Sequence, residues 1–392
     1  SWAIRLTEFI KRLKRYGDGE MSEEDLAEMI EIVCGNMKKI YPYTDEELFR
    51  EDLMVIAEVF ESIARGQTPE IDIGQMDIGS YAPYMTAPHR MDLMVSAMEK
   101  DGHWNCNQHC LHCYAAGQRY AGVKELDTDA WKEIIARCKK AKIVQLTFTG
   151  GEPTQRKDLF ELIYAARWFV TRLNTNGVRL TEDYCRKLME AELDNVQITF
   201  YSANREIHNK LTGADHYDET VSGIRNALKA GLSVNVNTPL CRENAEYTDT
   251  VRFLQSLGVV YVTCSGLIPT GNAARRESVF MKLSREEITE VVKKAAAYCW
   301  EHGMEISFTS PGWITEEDLR KMGLSVPSCG AALSNMAVTP AGDVVACQSC
   351  LNREIFGNMR NTEWKKIWNH PASKRYREFS RKMEQSCPLG ED

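Results

Sequence analysis

Cys106-Asn107-Gln108-His109-Cys110-Leu111-His112-Cys113, followed by Tyr114, is the stretch around which the chain is organised. Three thiols with gaps of three and two residues can all face one point if the loop wraps around it. An iron–sulfur cluster needs that wrap, because its thiolates must reach separate irons. A 4Fe–4S cluster takes four thiolates and this loop offers three. One iron would then stay open to a small molecule, as an open coordination position marks a catalytic metal site. The competing reading is a structural zinc loop. Zinc prefers four ligands in two close pairs; His109 and His112 are available, but no second pair lies nearby.

The bulk composition sets the frame for this loop. A chain of 392 residues with 43% hydrophobic and 27% charged residues is long enough for one barrel-sized unit plus appendages. No apolar run approaches the roughly 18–20 residues of a membrane span. A net charge of −8 argues against a general nucleic-acid binder. Thirteen cysteines in a chain of cytosolic character, with a cytoplasmic location expected, point to metal more than to disulfides. Seven fall in two groups, Cys106/Cys110/Cys113 and Cys329/Cys347/Cys350/Cys387, while Cys34, Cys138, Cys185 and Cys299 sit in helical patterns as packing residues.

Outward from the loop, the periodicities divide the chain into four parts. Residues 1–66 read as an N-terminal helical module, with helices over 2–16, from an N-cap at Ser22, and from a Thr44–Glu47 capping box to Gly66. It carries 9 Lys+Arg against 15 Asp+Glu, an acidic balance of −6. Residues 67–90, rich in Pro, Gly and polar side chains, read as a connecting segment. Residues 91–303 alternate strand and helix, with strands at Leu93–Met98, Ile143–Thr149, Phe169–Asn174, Asn195–Phe200, Ser233–Thr238 and Val259–Cys264. That alternation predicts an α/β fold built on a parallel sheet with right-handed crossovers. Residues 304–392 change character, with a hairpin pattern over Met336–Pro340 and Asp343–Cys347 turned at Ala341-Gly342.

Parallel barrels carry their chemistry at the carboxyl ends of the strands, and the motifs fall there. Gly150-Gly151-Glu152-Pro153 ends the second strand. Adjacent glycines let backbone approach a ligand, and Glu152 is an acceptor suited to an ammonium group. Asn176 ends the third strand, Ser202 follows the fourth, Asn237 ends the fifth, and Leu267-Ile268 follow the sixth. Cys241 and Cys264 also lie near strand ends, on the catalytic side, where a thiol could take part in the chemistry; a buried filler role is the plainer alternative.

The three-cysteine loop with an aromatic after its last cysteine, together with Gly150-Gly151-Glu152-Pro153, resembles the radical S-adenosylmethionine (radical SAM) enzymes. The resemblance covers roughly residues 91–390. It implies a partial (β/α)6 TIM-like barrel and a catalytic 4Fe–4S cluster held by Cys106, Cys110 and Cys113. In that family the open iron binds SAM, and one electron splits SAM to a 5′-deoxyadenosyl radical that abstracts a substrate hydrogen. Carried over to this chain, Glu152 with Gly150, Gly151 and Pro153 would hold the SAM amino group. Tyr114, Asn176, Ser202, Asn237, Leu267 and Ile268 would make further SAM contacts. Ser202 stands where the family has an Asp. The spacing Gly342 to Cys347, with Phe356-Gly357-Asn358, Trp364 and Trp368, resembles the SPASM and twitch extensions, which carry auxiliary 4Fe–4S clusters. One auxiliary cluster on Cys329, Cys347, Cys387 and Cys350 is expected, with a four-thiol zinc knuckle as the alternative. The full SPASM pattern places a further Cys at position 390, which is Gly390 here, so a shorter twitch type or a trimmed terminus is expected.

The family implies an oxidoreductase with a flavodoxin- or ferredoxin-type electron donor. Its extended members often modify ribosomally made peptides, forming thioether, carbon–carbon or epimerised products. Peptide maturation is the leading expectation, with the N-terminal helices helping to hold the peptide. A small-molecule dehydrogenation or cofactor-assembly step is the alternative, and a non-catalytic zinc scaffold a third.

Overall fold

The computed structural model describes residues 9, 22–40, 46–67, 82–100, 103–275, 281–382 and 387. The expected helix over 2–16, the Thr44–Glu47 capping box and most of segment 67–90 lie outside those residues. Helix α1 (Glu23–Ile40) starts where its cap predicts: the Ser22 hydroxyl accepts from the Asp25 N–H, and Asp25 accepts from the Ser22 N–H, both at 3.1 Å. Met29, Val33 and Met37 of α1 recur at helical spacing and meet Phe49, Leu53 and Ile56 of α2 (Glu46–Ala64). The same small core takes in Val144 and Trp168, which precede two strands of the main sheet.

Seven parallel strands follow in order: β1 (Arg90–Ser96), β2 (Gln145–Gly150), β3 (Val170–Thr175), β4 (Asn195–Thr199), β5 (Ser233–Pro239), β6 (Tyr261–Ser265) and β7 (Glu305–Phe308). Their crossovers carry α3 (Thr128–Lys140), α4 (Leu159–Ala165), α5 (Glu182–Glu190), α6 (Arg205–Thr212), α7 (Tyr217–Lys229), α8 (Tyr247–Ser256) and α9 (Arg285–Glu301). The six expected strands are present within a few residues, and β7 is an addition. Glu305-Ile306-Ser307-Phe308 is too short a pattern to be called a strand from sequence, and pairing with β6 makes it one.

The C-terminal part extends the same sheet. β8 (Asn335–Val338) lies parallel against β1, and β9 (Asp343–Val345) and β10 (Gly357–Asn358) add antiparallel, giving the order β10-β9-β8-β1-β2-β3-β4-β5-β6-β7. The sheet therefore runs past the expected break near residue 304. The result is an open α/β barrel in one continuous ten-stranded sheet, with a polar lumen on its inner face.

Alternation within each strand separates two environments. Leu93, Phe148, Leu173, Val196, Val236 and Val262 face the helices in one large core. Their neighbours along the chain face the other way into the lumen, and they are polar: Asp92, Thr147, Arg172, Gln197, Asn237 and Thr263. Half-buried Arg172, Asn174, Gln197 and Thr199 show that this inner face is open rather than packed shut.

The helical module meets the sheet through Val144 and Trp168, at the amino ends of β2 and β3. Those contacts lie at the opposite end from the strand termini that carry the motifs. The expectation that these helices hold a peptide at the site is not supported by where α1 and α2 pack.

Candidate active site

The thiol loop crosses the carboxyl end of β1, and its backbone is tied down from both sides. The His109 and Leu111 N–H groups donate to the Thr212 and Leu211 carbonyls at the end of α6, at 2.9 and 3.0 Å. Asn272 supplies the other clamp, donating from its N–H to the Cys113 carbonyl (2.9 Å) and from its side-chain amide to the Cys110 carbonyl (3.0 Å). Gly271 makes that approach possible: its φ is +59°, and a Cβ there would come to 2.5 Å from the Cys113 carbonyl oxygen. Trp104 stacks on His109 with ring centroids 4.7 Å apart. His112 meets Tyr201 edge to face at 4.9 Å and is held neutral, its pKa lowered to about 4 by burial.

Cys106, Cys110 and Cys113 are electrostatic neighbours. Burial pushes the Cys106 thiol up to about 12, with the nearby Glu152 and Cys113 charges adding to it, and Cys110 and Cys113 are raised by burial as well. Free thiols here stay protonated, so binding metal must release protons.

Glu152 sits beside this loop, buried, at the N-cap of the short turn Pro153–Gln155. Four donors converge on its carboxylate: the Thr154 N–H (3.0 Å), the Thr154 hydroxyl (2.6 Å), the Thr175 hydroxyl (2.7 Å) and the Asn176 N–H (2.9 Å). Burial raises its pKa, and those donors offset only part of the rise. Asn176 links the site together, since its side-chain amide donates to Asn107 of the loop at 2.7 Å.

The glycine pair does something different from the expectation. Gly150 has φ +135°, and a Cβ on it would collide with the Ser96 carbonyl; a Cβ on Gly151 would lie 2.8 Å from the Ala97 carbonyl oxygen. The Gly151 N–H donates to the Ser96 carbonyl at 2.7 Å. The close approach is to the backbone leading into the thiol loop, at a bulge in the β1–β2 pairing. These glycines bring Glu152 and the loop together.

The other expected residues divide. Tyr114, Asn176 and Asn237 lie at the loop or on the lumen face, and the Thr263 hydroxyl donates to Asn237 at 2.9 Å. The Ser202 hydroxyl accepts locally from the Asn204 N–H. Leu267 is buried with Tyr201 and Cys241, against Cys110, while Ile268 packs on the helix-facing core. Cys264 belongs to that same helix-facing core beside Cys299, so it does not face the lumen. The expectation that it lies on the catalytic side is corrected by strand alternation: in β6 the lumen positions are Tyr261, Thr263 and Ser265. Cys241 is fully buried in its apolar group, consistent with a filler role.

The C-terminal thiols form a second neighbour set. Cys350 donates to Cys347, which lowers the Cys347 thiol, while that hydrogen bond, burial and the charges of Cys347, Cys387 and Cys329 raise Cys350. An all-thiol set of four suits an iron–sulfur cluster.

Sequence reasoning missed what joins the two sets. The Tyr114 hydroxyl donates to Gln348 at 3.2 Å. Gln118, buried, donates to the Tyr114 carbonyl (2.6 Å) and the Ser349 carbonyl (3.2 Å), and accepts from the Leu351 N–H at 3.1 Å. One glutamine thus bridges both thiol-bearing segments across more than 230 residues of chain.

Comparison with known proteins agrees with this geometry. The family model of the radical SAM superfamily matches residues 105–254, and that of the SPASM iron–sulfur cluster-binding domain matches residues 329–389. The chain is 27% identical over 279 residues to the mycofactocin maturase MftC of Mycolicibacterium smegmatis, covering 68% of each. It is 33% identical over 189 residues to the probable GTP 3′,8-cyclase of Methanopyrus kandleri, covering 46% of this chain and about three fifths (61%) of the relative. In fold it resembles Streptococcus suis SuiB bound to the precursor peptide SuiA, with a TM-score of 0.61 at 13% identity over 85% of this chain and 80% of that one. It also resembles anSMEcpe with bound AdoMet, with a TM-score of 0.58 at 17% identity over 75% and 84%. Among the described residues no helix is long and apolar enough to cross a membrane. The two family models match the parts of the chain that carry the two thiol sets, and the chain belongs to the radical SAM superfamily with a C-terminal SPASM domain.

Proposed function

We propose that this radical SAM enzyme modifies a ribosomally synthesised peptide, forming a thioether, a carbon–carbon crosslink or an epimerised residue. The observation that carries the reading is the union of the two thiol sets through Gln118 and Tyr114 at one end of the lumen. In this reading the union would set an auxiliary cluster on the C-terminal thiols close to the substrate space. Support comes from the maturase match, which spans 68% of the chain, and from the shared fold of SuiB, whose structure holds a precursor peptide.

The domains call for a SAM-binding 4Fe–4S cluster and auxiliary iron–sulfur clusters, and the donor sets fit them. When bound, the cluster and SAM supply a radical that removes a hydrogen atom from the substrate. The chain's own residues do the rest in this proposal. Cys106, Cys110 and Cys113 would hold the SAM-binding cluster. Glu152, its carboxylate fixed by four donors, accepts from the SAM ammonium group. Cys329, Cys347, Cys350 and Cys387 hold an auxiliary cluster. The barrel walls keep competing hydrogen donors away from the reacting carbon.

A small-molecule substrate is the second reading, favoured by the 33% identity to the archaeal cyclase. Reconstituted enzyme incubated with SAM, reductant and either peptides or small alcohols and amines separates the two. Peptide-stimulated release of 5′-deoxyadenosine, with a mass change in the peptide, is expected. Release stimulated by small alcohols or amines alone defeats the peptide reading.

A further inference from the structure

One layer of the lumen carries polar groups that the rest of the site does not use. Asp92 on β1 is the register partner of Thr147 on β2, Thr147 that of Arg172 on β3, and Arg172 that of Asn195 on β4. Their neighbours along the chain, Leu93, Leu146, Leu173 and Val196, point into the helix-facing core, so this row faces inward. Asp92 is occupied by Arg90, with N–O at 2.9 Å. The other three each hold a buried polar atom without a partner among the described residues: Thr147 Oγ1, Arg172 Nε and Asn195 Oδ1. Asn174 Oδ1, one step nearer the carboxyl end of β3, is unpartnered as well.

Buried polar groups are rarely left this way, and an unpaired charged group is the costlier case. Four such atoms on three adjacent strands mark one polar layer of the inner face that the described residues leave unsatisfied. The chemistry of a group that would satisfy them follows from theirs. Thr147 Oγ1 and Arg172 Nε offer hydrogens, and the guanidinium stays charged at any ordinary pH. The ionisable groups facing Arg172 are Arg90, Asp92 and Tyr261. With Arg90 and Asp92 paired, the row keeps one net positive charge. Asn174 Oδ1 and Asn195 Oδ1 accept a hydrogen. An acylated α-amino acid presents both halves, a carboxylate with an N–H on the next carbon. Arg172 is only half-buried, so the row can be reached from the lumen.

We propose that this row is a carboxylate subsite in which Arg172 binds a substrate carboxylate and Asn174 and Asn195 take the adjacent N–H. It rests on the peptide reading above and names the group by which the peptide is held. The group can be the C-terminal carboxylate or an acidic side chain; both bring a carboxylate, and the side chain's N–H lies at least one carbon further from it.

The test is binding without turnover. Reconstituted enzyme, with SAM but no reductant, is titrated with N-acetylglycine, N-acetylglycinamide and N-acetylaspartic acid α-amide, followed by saturation-transfer NMR. At least one carboxylate probe should bind about tenfold or more tighter than the glycinamide, the scale of one hydrogen bond to a charged group. Preference for N-acetylglycine points to a C-terminus, and preference for the aspartate probe to an acidic side chain. R172Q should abolish the preference and R172K should keep part of it, with circular dichroism melting confirming that both variants fold. Equal binding of acid and amide overturns the proposal, as does a preference that survives in R172Q. The peptide reading fails separately: if no peptide releases 5′-deoxyadenosine while the acid probes still bind through Arg172, the subsite stands and its substrate is not a peptide.

Discussion

Replacing Glu152 by Gln separates a structural brace from a ligand-binding charge. In the native site one carboxylate oxygen takes the Thr154 N–H, the Thr154 hydroxyl and the Thr175 hydroxyl, while the other takes the Asn176 N–H at 2.9 Å. A glutamine can keep an oxygen at only one of these positions. Set toward the threonines, it keeps three bonds and turns its NH2 against the Asn176 N–H, leaving a buried donor facing a donor. Set the other way, its NH2 faces the Thr154 N–H, and both threonine hydroxyls must turn to accept from it. In either arrangement one buried N–H faces a donor, and the apoprotein loses about 1–3 kcal/mol of stability, the cost of one unsatisfied buried group. The charge that would meet the SAM ammonium is lost too. A hydrogen bond to a charged group contributes about 1.5–3 kcal/mol, so SAM should bind about ten- to a hundredfold more weakly. Urea unfolding reads the first quantity, and calorimetric titration of SAM into reconstituted, unreduced protein reads the second. T175V is the control. It removes one donor but keeps the carboxylate, so it should lower stability while leaving SAM affinity close to native. A Glu152→Gln protein that is destabilised yet binds SAM within about twofold of wild type refutes the proposed role and leaves Glu152 as a brace alone.

Other outcomes follow from the same contacts. G271A sets a Cβ 2.5 Å from the Cys113 carbonyl oxygen at a φ of +59°, so it should fold less stably by about 1–3 kcal/mol and retain less iron after reconstitution, checked by iron analysis. The double variant C329A/C347A should lower bound iron from about eight to about four per chain if the C-terminal thiols hold a separate 4Fe–4S cluster. Gln118→Leu strips partners from the Tyr114 and Ser349 carbonyls and the Leu351 N–H, and should weaken both SAM binding and C-terminal iron retention; an effect on one site only argues against the bridge. His208 is fully buried, and burial lowers its pKa from 6.5 to about 4. The folded state holds the ring neutral, so its contribution is complete above pH 6.5 and drains away as pH falls toward 4. Unfolding free energy should drop by roughly 3 kcal/mol across that window, and H208Q should flatten the slope.

The site was legible in sequence where its chemistry is local. The spacing of Cys106, Cys110 and Cys113 needs no knowledge of the fold, and Gly150-Gly151-Glu152-Pro153 is equally compact. The strand and helix order was legible because alternation and helical spacing are also short-range patterns. What escaped is long-range. Gln118 and Asn272 look like ordinary surface polars, and their partners lie more than 230 and about 160 residues away. β7 is four residues long, and β8 joins β1 across the whole barrel, so nothing in either segment announces its neighbour. The glycine pair shows a subtler limit. Sequence identified a place where a Cβ cannot be tolerated but not what presses there, and the occupant is the backbone after β1.

Cys264 and Arg172 show how one register decides which residues act. Both stand on barrel strands, both are chemically capable, and only one faces the lumen. Cys264 shares its parity with Val262 and so joins the helix-side core, where Cys299 and apolar neighbours surround it. Arg172 takes the opposite parity from Leu173 and brings an unpartnered Nε to the inner face. A side-chain period of two means that a thiol moved one place, to Thr263 or Ser265, would enter the chamber that Cys264 never sees. T263C should accordingly react with a small alkylating reagent that leaves Cys264 untouched. Labelling of Cys264 instead, read by peptide mass mapping, would overturn the assignment of inner and outer faces on which both the buried role of Cys264 and the carboxylate subsite at Arg172 depend.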